Sequence, residues 1–179
     1  METTTKRETI VLNVNPKKEL KDLLWCLKAR STDKTRLVAS YMYVNGDNIL
    51  CTDGKRVHMI IDRQKLSLTI SDGLWEVKIS KDSIIFIPID GMQFPDYKSV
   101  LPNYNSNTAI NLYFDSKPID ISIAMYKIYQ AFNKGLNYEL LKDLAGIYWY
   151  ANSNKDKEGS IIEFKSNNLY ALMMEIKTK

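Results

Sequence analysis

Between Ala39 and Ile89 the chain repeats one pattern, in which short runs carry apolar side chains at alternate positions and turn signals separate them. A period of two is the period of a strand with one buried face. Ala39–Val44 and Ile49–Thr52 flank Asn45-Gly46-Asp47-Asn48, a hairpin turn. Val57–Asp62, Leu66–Ile70, Leu74–Ile79 and Ser83–Ile89 continue the pattern, with Ser71-Asp72-Gly73 as a further turn. Consecutive strands with such short links form antiparallel sheet.

Helices enter before and after this block. Ile10–Val14 reads as a strand, Asn15 as an N-cap and Pro16 as a first helical residue. Leu20, Leu23, Leu24 and Leu27 then fall at i, i+3, i+4 and i+7, so the spacing predicts one helix over 16–30. Lys17, Lys21 and Lys28 lie within about 40° of one another on that helix, a row that suits phosphate contacts or a solvated face. Pro95, Pro102 and Asn103–Asn107 mark irregular chain, and Ala109–Phe114 reads as a strand. Residues 119–132 are ambiguous: Ile121, Met125, Ile128 and Phe132 suit a helix, while Ile119, Ile121 and Ile123 alternate. Tyr138–Leu144 reads as a short helix with Gly146 beyond it. Strands at Ile147–Ala151, Ser160–Lys165 and Leu169–Ile176 close the chain, around a polar loop at Asn152–Gly159. The class is α+β: antiparallel sheets covered by two helices. Residues 1–8 form a polar segment. Residues 9–179 form one compact unit, with a first half at 9–62, a β-rich insert or domain end at 63–118 and a second half at 119–179.

The chemistry available is narrow. The 179 residues include one histidine and two cysteines, and no zinc-type Cys/His spacing or phosphate-binding glycine loop occurs. No cofactor and no metal is expected. Cys26 and Cys51 read as buried free thiols, and His58, in an alternating run, as a structural residue. One enzymatic alternative remains, a metal-dependent nuclease. Asp96 after Pro95 would be combined with Glu163-Phe164-Lys165 or Glu76-Val77-Lys78, the carboxylates holding Mg²⁺ and the lysine orienting water. The net charge of +4 permits nucleic-acid contact without demanding it. Heavy use of Lys, Ile, Asn and Tyr suits an AT-rich genome, bacterial or phage. Met1–Thr9 is polar and no apolar run is long enough to span a bilayer, so a cytoplasmic protein without membrane contact is expected.

Two segments carry a resemblance. Cys51-Thr52-Asp53-Gly54-Lys55-Arg56-Val57 and Gln93-Phe94-Pro95-Asp96-Tyr97-Lys98-Ser99-Val100-Leu101-Pro102 resemble, in this order, the "TDGHRL" turn and "FPDYxxVLP" segment of the bacterial DNA polymerase sliding clamp, its β subunit. Lys55 stands for the usual histidine and Val57 for the leucine. Phe132-Asn133 with Tyr138–Leu144, and Tyr170-Ala171-Leu172-Met173-Met174, are similar to the helix entry and end of the clamp's last domain. The resemblance implies a non-catalytic clamp-like protein that docks short peptides from DNA polymerase and other DNA-metabolism enzymes, with duplex DNA a further candidate partner. Carried over by position, the peptide pocket is Thr52, Gly54, Arg56, Val57, Pro95, Val100, Met173 and Met174. Lys17, Lys21 and Lys28 are the candidate DNA contacts.

The chain departs from that family in length. The clamp subunit has three domains, each with two helices lining the DNA hole, so this chain is either one clamp-like domain with a β-rich insert or two trimmed domains fused. Two copies do not supply six full domains, and the oligomeric state stays open. The alternative function is a phage-type inhibitor of a host polymerase, nuclease or CRISPR effector, with Tyr148-Trp149-Tyr150, Tyr126 and Tyr129 as either interface anchors or core.

Overall fold

A computed structural model of the protein describes residues 7–66, 68–101, 109–153 and 161–174. Pro102, Asn103–Asn107, most of the polar loop before Gly159, Ser160 and Ile176 lie outside the described residues, as does the side chain of Val100.

Among the described residues ten strands run antiparallel: β1 (Ile10–Leu12), β2 (Met42–Asn45), β3 (Asn48–Thr52), β4 (Arg56–Ile61), β5 (Gly73–Ile79), β6 (Ile84–Ile89), β7 (Ile110–Leu112), β8 (Trp149–Ser153), β9 (Ile161–Ser166) and β10 (Leu169–Met174). Their order is β1-β6-β5-β2-β3-β4-β10-β9-β8-β7. The helices are α1 (Pro16–Glu19), α2 (Lys21–Leu27), α3 (Pro118–Phe132) and α4 (Tyr138–Lys142). The chain divides into two compact units, Met1–Gly54 with Met59–Pro95, and Lys55–His58 with Asp96–Lys179.

In the first unit, alternation built the sheet as expected. The β2–β3 hairpin pairs Asn45 with Asn48, and Gly46 at the turn takes a φ of +56° that suits glycine. Met42, Val44, Ile49, Trp75, Ile84 and Phe86 are buried. The helix expected over 16–30 is two short pieces. Leu20 sits between them at φ −125°, ψ 40°, outside helical geometry. The leucine stripe survives the break, because Leu20, Leu23 and Leu27 are all buried. After Leu27 the chain tightens into i→i+3 bonds, and the Arg30 guanidinium donates to Val77 O at 3.1 Å. Two expected strand segments are different. Leu37–Ser40 is a 3₁₀ turn, so β2 starts only at Met42, and Arg63–Leu66 forms another after Asp62 turns left-handed at φ +68°.

In the second unit the ambiguous stretch is helical. Ile121, Ala124, Ile128 and Phe132 of α3 are buried, as are Trp149, Ala151, Ile162, Phe164, Ala171 and Met173 of the strands. Trp149 meets Phe164 edge-on at 6.4 Å and donates from Nε1 to Leu144 O at 2.8 Å, so the indole is both packed and satisfied. Asn133 closes α3 in the left-handed conformation, and the Asn137 side chain caps α4 by accepting from Glu139 N. Among the described residues there are therefore four α-helices, where two were expected. The expected class, antiparallel sheet with covering helices, stands.

Candidate functional site

The turn that opens β4 is built tightly in the first unit. Thr52 Oγ1 accepts from Gly54 N at 3.0 Å, and Arg36 Nη1 donates to Asp53 O at 2.9 Å. Gly54 has a φ of +85°, and a Cβ there would stand 2.7 Å from Arg36 Nη1. Glycine thus admits both the backbone conformation and the guanidinium across the turn. Thr52 is half-buried and Gly54 exposed. Pro95 is exposed beside buried Phe94, whose ring stacks on Tyr43 at 4.6 Å.

In the second unit Arg56 and Val57 start β4 and are half-buried. Met174 N donates to Lys55 O at 3.0 Å, which brings the end of β10 to the start of β4. Of the two C-terminal methionines, Met173 is completely buried while Met174 is 50% exposed. Only Met174 offers side-chain surface to a ligand. Arg56 Nη1 forms an ion pair and hydrogen bond with Asp143 Oδ2, between side chains only 13% and 17% exposed. Asp143 was not singled out from the sequence. It lies 87 residues from Arg56, so no local pattern announces the pair.

Lys17, Lys21 and Lys28 are exposed, but they are distributed over α1, α2 and the residue after α2. The single helical row does not form, because its geometry depended on a continuous helix. The carboxylates of the nuclease reading have other partners. Glu163 is buried, accepts from the Tyr170 hydroxyl at 2.7 Å and pairs with Lys165 Nζ at 3.1 Å. Asp96 accepts from Lys98 N at 3.1 Å, capping a 3₁₀ turn at Tyr97–Val100, and Glu76 pairs with Lys78 at 3.6 Å. Among the described residues no group of three or more His, Cys, Asp or Glu side chains is placed to hold a metal ion. His58 is buried, as are Cys26 and Cys51. Burial, with Cys51 beside it, pushes the Cys26 thiol well above its ordinary pKa. No helix among the described residues is long and apolar enough to cross a membrane.

The aromatic residues divide. Trp149 is core, whereas Tyr126, Tyr129, Tyr148 and Tyr150 are all more than half exposed. On α3, Ile119, Ile123 and Tyr126 fall within about 60° of one another and opposite the buried stripe, so the longest helix turns an apolar face to solvent.

No protein-family model and no curated protein matches the sequence. Solved structures do match. The sliding clamp (DNA polymerase III subunit β) of Bartonella birtlesii, solved bound to griselimycin, matches with a TM-score of 0.58 at 16% identity, over 99% of this chain and 68% of that one. The Helicobacter pylori β clamp, bound to a DNA ligase peptide, matches at 0.57 and 12% identity, over 98% of this chain and 68% of that one. The Bacillus subtilis clamp matches at 0.54 and 14%, over 100% of this chain and 67% of the other. The fold is that of the bacterial sliding clamps.

Proposed function

We propose that this protein is a non-catalytic, clamp-like binding module that docks short peptides from DNA-metabolism enzymes. The observation that carries the reading is the clamp fold extending over nearly the whole chain, with the Thr52–Arg56 turn leading into β4 and the end of β10 bonded beside it. One neighbour of this fold was solved with a DNA ligase peptide. Two compact units and a match to about two-thirds of each neighbour favour two trimmed domains over one domain with an insert. The candidate contacts are Arg56, Val57, Val100 and Met174 of the second unit, while Thr52, Gly54 and Pro95 are carried over from the clamp motifs alone. Met173 supports the strand from within. Apolar Val and Met side chains suit the Leu and Phe anchors of a short peptide, and the thioether adapts to their shape.

A specific observation favours the second reading, an inhibitor that uses this fold to bind a protein. The solvent face of α3 presents Ile119, Ile123 and Tyr126, and Lys17, Lys21 and Lys28 are spread over α1, α2 and the residue after α2. Such surfaces suit a protein partner better than a phosphate backbone. Light scattering after size exclusion, with and without a short duplex, separates the readings. A stable oligomer that retains duplex, with retention falling steeply as salt rises, supports a clamp on DNA. A species that ignores duplex at low salt but binds a ligase or polymerase peptide supports the peptide module alone. A species that binds neither overturns the first reading.

A further inference from the structure

The second unit carries a cavity that the peptide reading does not use. It lies between β7, with the residues just after it, and the first half of α3, and measures about 260 Å³. That is several times the ~30 Å³ of a liquid water, room for one long side chain. Leu112, Phe114, Ile123 and Ala124 supply apolar walls, and Asp115 and Asp120 supply two carboxylates. At its rim Tyr113 stacks on Tyr148 with centroids 4.3 Å apart and planes 26° from parallel. Tyr148 is 74% exposed, so the outer face of this stack is open to solvent.

The charges define what fits. Neither Asp115 nor Asp120 forms an ion pair with any described residue. Among the described residues Asp115 Oδ1 accepts only the Tyr113 hydroxyl, at 3.3 Å. Its negative charge registers on that neighbour: the Tyr113 hydroxyl is held above its ordinary pKa, first by the Asp115 charge and then by the hydrogen bond. Lys127 also lines the cavity, but it lies seven residues beyond Asp120, about 10 Å along the helix axis. It belongs equally to the neighbouring hollow, beside Ile110, Asn111 and Gln130.

We propose that this cavity binds the guanidinium of an arginine side chain carried by a partner protein. The methylenes would lie along Leu112, Phe114 and Ile123, as long cationic side chains bury their stems against apolar surface. The planar head would meet the two carboxylates and spread against the Tyr113 ring, which Tyr148 backs. An ammonium satisfies the charge but not the stacking, which is why arginine rather than lysine is assigned. Carboxylates repel an acidic or phosphate-bearing ligand, so the site selects a basic protein segment and not a nucleic-acid backbone.

The test uses the full chain and three small probes: the N-acetyl N-methylamides of arginine, lysine and citrulline. Citrulline has nearly the shape of arginine without its charge. Amide NMR is followed as each probe is added. The arginine probe is expected to shift Tyr113, Asp115, Asp120 and Ile123 saturably, with a Kd on the order of millimolar for so small a ligand. Lysine should bind several-fold more weakly and citrulline about tenfold more weakly or worse. Asp115→Asn with Asp120→Asn should abolish the shifts while the remaining spectrum stays unchanged, and Tyr148→Ala should weaken binding several-fold. Equal binding of arginine and citrulline, shifts that persist in the double variant, or no saturation by about 50 mM overturns the proposal. Equal binding of lysine overturns the assignment to a guanidinium.

Discussion

Replacing Asp143 with alanine removes one partner from an ion pair whose side chains are 13% and 17% exposed. An exposed pair of this kind is worth only about 0–1 kcal/mol. Breaking a buried one costs about 3–5 kcal/mol, because the remaining charge is left in a low dielectric without compensation. Arg56 and Asp143 are much nearer the second case, and their remaining exposure and other contacts discount it, so Asp143→Ala should destabilise the second unit by about 2 kcal/mol. Replacing both residues by apolar ones of similar size, Arg56→Met with Asp143→Leu, should recover most of that loss, since both desolvated charges then disappear together. Urea unfolding measures this. The Trp149 indole N–H resonance, followed by NMR, reports the second unit, because Trp25 and Trp75 both belong to the first. The expected signature is a lower midpoint at unchanged slope for the single variant and a coupling energy above about 1 kcal/mol in the double-mutant cycle. A single-variant loss below about 1 kcal/mol, or effects additive to about 0.5 kcal/mol, would refute the claim that this pair is held out of water.

Other outcomes follow from the same geometry. Gly54→Ala should destabilise the first unit by about 1–3 kcal/mol, because alanine must take a left-handed φ and its Cβ must displace Arg36; an unchanged midpoint would count against the turn as described. Trp149→Ala should cost about 3–5 kcal/mol by emptying the space against Phe164 and freeing Leu144 O, read by urea denaturation followed by far-UV circular dichroism. The Cys26 thiol, raised by burial above its unfolded value, keeps its proton where an unfolded chain ionises. Its contribution to stability is therefore complete below the unfolded cysteine pKa of about 8.5 and is lost as pH rises through the folded value. A midpoint that falls on going above about pH 9 in wild type, and falls less in Cys26→Ala, is expected; fast alkylation of the native protein at neutral pH would contradict the burial.

How much of this was readable in the residues depended on distance along the chain. The Asn45–Asn48 hairpin and the alternating runs of β5 and β6 are local signals, and the structure has them. The leucine stripe is local too, but the break at Leu20 is not written in it, since a stripe at helical spacing survives a one-residue kink. Residues 119–132 looked both strand-like and helical for a physical reason: Ile121 faces the core while Ile119 and Ile123 face solvent, and apolar residues on both sides blur the period. The exposed tyrosines could not be told from core, because an aromatic reads alike in either place. Asp143 was invisible because its partner is 87 residues away. The Gly54 turn, by contrast, was singled out by its resemblance to the clamp motif, and its positive φ and close guanidinium give a reason for glycine there.

The most direct test of the central claim is fluorescence anisotropy of a labelled DNA ligase peptide of the clamp-binding kind, titrated with the full chain. Saturable binding that is weakened about tenfold or more by Met174→Ala, and displaced by unlabelled peptide, is the predicted result. No binding by a folded protein, or binding indifferent to Met174→Ala together with Val57→Ala, would contradict it and leave the clamp fold serving another partner.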